Sequence, residues 1–78
     1  MVEFRVEQIG HRNGDTYHGN VDGRGFDLRV LRDGTLEVFI VDALGKIQPS
    51  TDVNVALGSQ VIKEFLKKNP NHILRQTL

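Results

Sequence analysis

The chain has no cysteine and no tryptophan. Without cysteine, neither a disulfide nor a thiolate metal centre can hold a small fold together. It also has no surplus of either charge, because ten acidic residues balance ten basic ones. That balance argues against a nucleic acid or an anionic membrane as the main partner. No apolar run approaches the ~20 residues of a membrane span. The opening MVEFRVE alternates apolar and charged residues, unlike the apolar core of a signal peptide. Internal repeats, low-complexity tracts and linkers are missing too. Residues 1–78 therefore read as one domain, and the lack of cysteine fits a cytoplasmic location. A chain this short buries only about 60% of its unfolded surface. A well-packed sheet with one helix, or oligomerisation, must supply the stability.

The clearest feature present is a β-hairpin over residues 26–41, FDLRVL-RDG-TLEVFIV. Phe26, Leu28 and Val30 share one face of the first strand, and Leu36, Val38 and Ile40 one face of the second. A two-residue Asp33-Gly34 loop would put these two sets on opposite faces. A three-residue loop, Arg32-Asp33-Gly34, sets Leu31 opposite Thr35, Val30 opposite Leu36 and Leu28 opposite Val38. The apolar sets then coincide, with Gly34 in the left-handed conformation that ends such a loop.

Val2, Phe4 and Val6 alternate with Glu3, Arg5 and Glu7, the pattern of a half-buried strand. Asn13-Gly14 then suggests a type I′ hairpin, with Arg12 opposite Asp15, Gly10 opposite Tyr17 and Val6 opposite Val21. In that register Val2, Phe4, Val6, Tyr17 and Val21 face inward, and Ile9, His11, Thr16, His18 and Asn20 face outward. A turn follows at residues 21–25, and another around Gly45. Lys46-Ile47-Gln48 offers a short fifth strand.

Ser50, Thr51 and Asp52 are three candidate helix caps. Val53, Leu57, Val61 and Phe65 recur every four residues, widened by Ile62 and Leu66. Two readings compete: one helix from Asp52 to Lys68, or a loop through Gly58 followed by a helix from Ser59. Glu64 and Lys68 have pairing distance, and Asn69-Pro70 ends the helix. The tail from His72 reads as a last strand, with a short helix as the alternative.

The fold class expected is α+β: an antiparallel β-meander of four strands, with a fifth available, and one C-terminal helix packed on one face. The expected core is Phe4, Val6, Val21, Phe26, Leu28, Val30, Leu36, Val38, Ile40, Leu57, Val61, Phe65 and Leu66.

The residues that carry chemistry give few constellations. His11 and His18 fall diagonally on one face in the Asn-Gly register, but a tight metal site needs three or four ligands. Asp15 points the other way, so the reading is two solvent-facing histidines and no metal. Asn20, Asp22 and Gly23 imitate part of a calcium loop, yet His18 and Arg29 stand where that loop needs acidic ligands. Gly19, Gly23 and Gly25 precede a strand rather than a helix, which removes a phosphate-binding loop. No nucleophile, base and orienting group come together, so no catalytic residue and no cofactor is assigned.

More informative is an excess of apolar residues on the second face of the sheet. Leu31, Phe39 and Val41 fall there, beside Arg29 and Glu37. These five residues are the expected partner-binding site. The functional reading is a small non-catalytic protein-binding module, an inhibitor or accessory subunit, whose partner is another protein or a second copy. The alternative is a nucleic-acid-binding regulator, against which stands the inward placement of most aromatic residues.

Overall fold

Four strands in chain order form one antiparallel sheet: β1 (Val2–His11), β2 (Gly14–Val21), β3 (Arg24–Val30) and β4 (Leu36–Val41). One helix follows, α1 (Asp52–Lys68), and packs on one face. This α+β architecture comes from a computed structural model, which describes residues 1–11 and 14–72 apart from the side chains of Val6, Ile9 and His11.

The β3–β4 hairpin has the three-residue loop. Val30 pairs with Leu36, Leu28 with Val38 and Phe26 with Ile40. The Leu31 N–H donates to the Thr35 carbonyl at 2.9 Å, and the Gly34 N–H to the Leu31 carbonyl at 3.0 Å. Gly34 takes φ 93°, as the loop requires. The Asp33 carboxylate accepts the Thr35 N–H at 2.9 Å. Hydrogen bonds from Thr35, side chain first and backbone second, hold the Asp33 carboxyl below its usual range. Gly34→Val puts a β-branched residue at positive φ and is expected to cost about 1–3 kcal/mol in urea denaturation. An unchanged midpoint would mean that the loop relaxes without strain.

The β2–β3 turn is the two-residue Asp22-Gly23, with Val21 paired to Arg24. Both loop residues have positive φ, 48° and 83°, the geometry that matches hairpin twist.

β1 departs from its expected register. Arg12 and Asn13 lie outside the described residues, so the Arg12–Asp15 pair does too. His11 pairs with Gly14, Glu7 with Tyr17, Val6 with His18, Phe4 with Gly19 and Val2 with Val21, with shifts between Phe4 and Val6 and between Gln8 and His11. The expected pairing of Val6 with Val21 is thus replaced. The cause is close approach at Gly19. A Cβ there would lie 2.0 Å from the Glu3 carbonyl oxygen and 2.8 Å from the Phe26 ring. The missing side chain lets β1 lie against β2 with Phe4 over the gap, its ring 5.5 Å from Phe26 and 6.2 Å from Tyr17. Gly14 serves the same purpose at the other end: at φ 114°, its Cβ would fall 2.0 Å from the Val30 carbonyl oxygen.

The helix is a single piece. Thr51 is its N-cap, accepting the Asn54 N–H at 3.2 Å. Gly58 does not break it but faces β4, where a Cβ would stand 3.6 Å from Val38. At C-cap Asn69 the backbone N–H donates to the Phe65 carbonyl. Glu64 and Lys68 form no ion pair; Lys68 instead stands 5.0 Å over the Phe4 ring. Asn71 and His72 are helical, and the tail expected as a last strand lies, at residues 73–78, outside the described part.

Val21, Phe26, Leu28, Ile40, Leu57, Val61 and Phe65 are buried between sheet and helix. Phe4, Val30, Leu36, Val38 and Leu66 pack around them half-buried, with Val2 and Tyr17. Val53 leaves the expected stripe and is 57% exposed. A four-residue step exceeds the helical turn of 3.6 residues, so such a row drifts off the core face. Asn54 takes the buried place instead. Its Oδ1 accepts from Arg24 Nη1 at 2.8 Å and its Nδ2 donates to the Pro49 carbonyl at 2.8 Å.

Candidate protein-binding surface

Strand alternation puts Thr16, His18 and Asn20 of β2 on the sheet face opposite the helix. In register beside them stand Arg29, Asp27 and Gly25 of β3, then Glu37, Phe39 and Val41 of β4. The five residues expected to bind a partner are therefore close together in backbone position. Arg29 pairs across the strands with Glu37, and its guanidinium carbon lies 5.0 Å over the Phe39 ring. Val41 stands beside Gly25, where an added Cβ would come within 3.2 Å of it. Leu31 pairs with Thr35 at the end of the hairpin. Phe39, Val41 and Leu31 are each half-buried. The Arg29 guanidinium covers part of Phe39, a cation–π arrangement that sequence alone did not reveal.

His18 is not beside a second described histidine. The β1 register sets Val6 opposite it, and the side chain of His11 lies outside the described residues. His18 Nδ1 instead meets Asp27 Oδ1 at 2.6 Å. Among the described residues no group of three or more His, Asp or Glu is placed to hold a metal.

Apart from Met1, the most exposed large apolar side chains among the described residues lie outside this face. Leu44, Ile47, Val53 and Val55 are 94%, 54%, 57% and 56% exposed, all within twelve residues of chain. Asp42 builds this region by accepting the Leu44 and Lys46 N–H groups, each at 2.9 Å. The fifth strand is reduced to one bridge, Val41 to Ile47, held by the Gln48 N–H to the Ile40 carbonyl at 2.8 Å and the Asp42 N–H to the Lys46 carbonyl at 3.0 Å. The pairing ends at Pro49, whose carbonyl accepts the Thr51 N–H at 2.9 Å and Asn54 Nδ2 at 2.8 Å as the chain turns into α1. Beyond it, a groove of about 240 Å³ runs between the open edge of β4 and α1. Ile47, Val55, Ile62 and Phe39 all line it. Phe39 thus belongs to both the outer face and the groove. Val55 is an apolar residue off the core stripe that the helical spacing passes over, and the sequence marks Ile47 only as part of a short fifth strand.

On the helix side of β2, the Tyr17 hydroxyl donates to Glu7 Oε1 at 2.9 Å. Burial, then that hydrogen bond and the charges of Glu7 and Asp15, push its pKa up to about 12. The folded chain therefore holds the phenol proton more tightly than the unfolded chain. This stabilisation is complete below about pH 10 and is lost as pH rises through about 12. Tyr17 is the single tyrosine, so tyrosinate absorbance reads it directly. The expected titration midpoint lies well above that of the urea-unfolded chain. Coincident midpoints would show that the contact to Glu7 is not kept in solution.

Against known proteins, no family model, no curated protein and no solved structure matches this chain. Among the described residues, no helix is long and apolar enough to cross a membrane.

Proposed function

We propose that this chain is a non-catalytic protein-binding module, an inhibitor or accessory subunit. Its contact surface is the outer sheet face at Leu31, Arg29, Glu37, Phe39 and Val41, continued around the β4 edge. The observation that supports the reading is the groove beside the open β4 edge, where Ile47 and Val55, each more than half exposed, meet Phe39 of that face. Exposed apolar surface that is contiguous, rather than scattered singly, favours a protein partner. A small domain that leaves these side chains in water forgoes about 1.5–3 kcal/mol each relative to burial. A partner chain, a second copy included, recovers it.

The test compares wild type with Phe39→Glu by sedimentation velocity, each alone and with the proteins it retains from its native host. Wild type is expected to sediment as a complex and the variant as a bare monomer, with the same circular dichroism spectrum. A folded variant that keeps the complex would refute a contact through Phe39. A wild type that is monomeric and retains nothing would refute the module reading.

A further inference from the structure

The β4 edge has a defined chemistry. The Leu31 N–H bonds Thr35, and antiparallel bonding alternates by twos. Arg29–Glu37, Asp27–Phe39 and Gly25–Val41 are then the bonded pairs of the ladder. The backbone groups of Leu36, Val38 and Ile40 point away from β3. The Ile40 carbonyl shows this directly, because Gln48 of the same chain reaches it from that side. The chain has thus begun a fifth strand and abandoned it at Pro49, so among the described residues Leu36 and Val38 have no strand beside them. None of the residues lining the adjoining groove is ionisable, in a chain of which 26% is charged.

We infer that the β4 edge takes an extended segment of a partner protein, added as a further strand where the chain's own fifth strand stops. This rests on the protein-binding reading and states its mode. The segment's backbone bonds Leu36 and Val38 and stops short of Ile40, where Gln48 already sits. Side chains on its helix-facing side enter the groove against Val55 and Ile62, so they are uncharged and apolar at every second position. The other side lies in line with Glu37 and Phe39 and accepts polar residues.

A second copy paired edge to edge fits poorly. A two-fold centred on Val38 sets the partner's Leu36 against Ile40, where Gln48 already sits. A two-fold centred on Glu37 opposes two carboxylates, which is destabilising. A heterologous segment that ends beside Val38 meets neither obstacle.

The probe is a phage library of random octapeptides, selected on the full chain and counter-selected on Val55→Lys. Val55 is 56% exposed, so its replacement leaves the fold intact while placing a charge in the groove wall. Enriched peptides are expected to alternate apolar and polar residues. At nine-tenths saturation they should slow amide exchange at Val38 about tenfold, since exchange then proceeds only from the free fraction. Methylating the peptide nitrogen that faces β4 should abolish binding. Enriched peptides with helical spacing, or binding that survives methylation, would overturn strand addition and leave the binding module standing. No enrichment over Val55→Lys would overturn it as well. A Val38 amide protected in concentrated protein alone and exposed on dilution would place a second copy at the edge and overturn the assignment.

Discussion

Phe65→Ala is expected to destabilise the protein by about 3–5 kcal/mol, enough to unfold much of it at room temperature. The Phe65 side chain is 5% exposed and its ring meets three others edge-on. Tyr17 lies 5.5 Å away, His72 5.6 Å and Phe4 6.5 Å. One side chain of α1 thus touches β1, β2 and the residues after the helix. Truncation opens a cavity that these rings cannot fill together, because each is fixed to a different element. The expected result is loss of cooperative thermal melting by circular dichroism, with Phe65→Leu recovering part of it. A melting temperature close to wild type would show that the helix is held chiefly by Leu57 and Val61.

Gly19→Ala is expected to cost about 3 kcal/mol or more, beyond the usual range for one added methyl in a core. The new Cβ would stand 2.0 Å from the Glu3 carbonyl oxygen, a backbone atom that cannot swing aside. Relief requires β1 to move away from β2, breaking the Phe4–Gly19 and Glu3–Asn20 pairings. Amide exchange should accordingly accelerate along β1 before it does along β3 and β4. Gly25→Ala is the control: its nearest new contact is a Val41 methyl at 3.2 Å, which can rotate. Equal destabilisation by the two variants would refute the close-approach explanation of the β1 register.

The contrast between hairpins shows what was legible in the sequence. The β3–β4 register follows from apolar alternation in both strands and a glycine that needs positive φ, all of it local information. The β1 register does not, because it depends on which glycine of β2 leaves room for a facing backbone. Asn13-Gly14 is an equally strong local signal, yet His11 pairs with Gly14, whose special conformation serves contact with Val30. Polar residues in the core were also illegible. Asn54 and His72 are buried, the first between Arg24 and Pro49 and the second with Nε2 2.7 Å from the Gly34 carbonyl. Polarity places both at the surface until their partners, far along the chain, are known. On the outer face the sequence placed Phe39 beside Arg29 and Val41, but Ile47 and Val55 join that surface only through the path of the chain after β4.

Strand order along the sheet equals strand order along the chain, and this bears on how the molecule assembles in time. Each β2–β3 or β3–β4 pairing closes a loop of only two or three residues, so its ordering cost is small and its formation is a microsecond-scale event. The helix must return across the sheet to reach Phe4, sixty-one residues from Phe65. The transition state is therefore expected to hold the two central hairpins formed and the aromatic contacts of α1 with β1 still open. Substitutions at Phe4 would then speed unfolding, while substitutions at Leu28 or Val38 would slow folding.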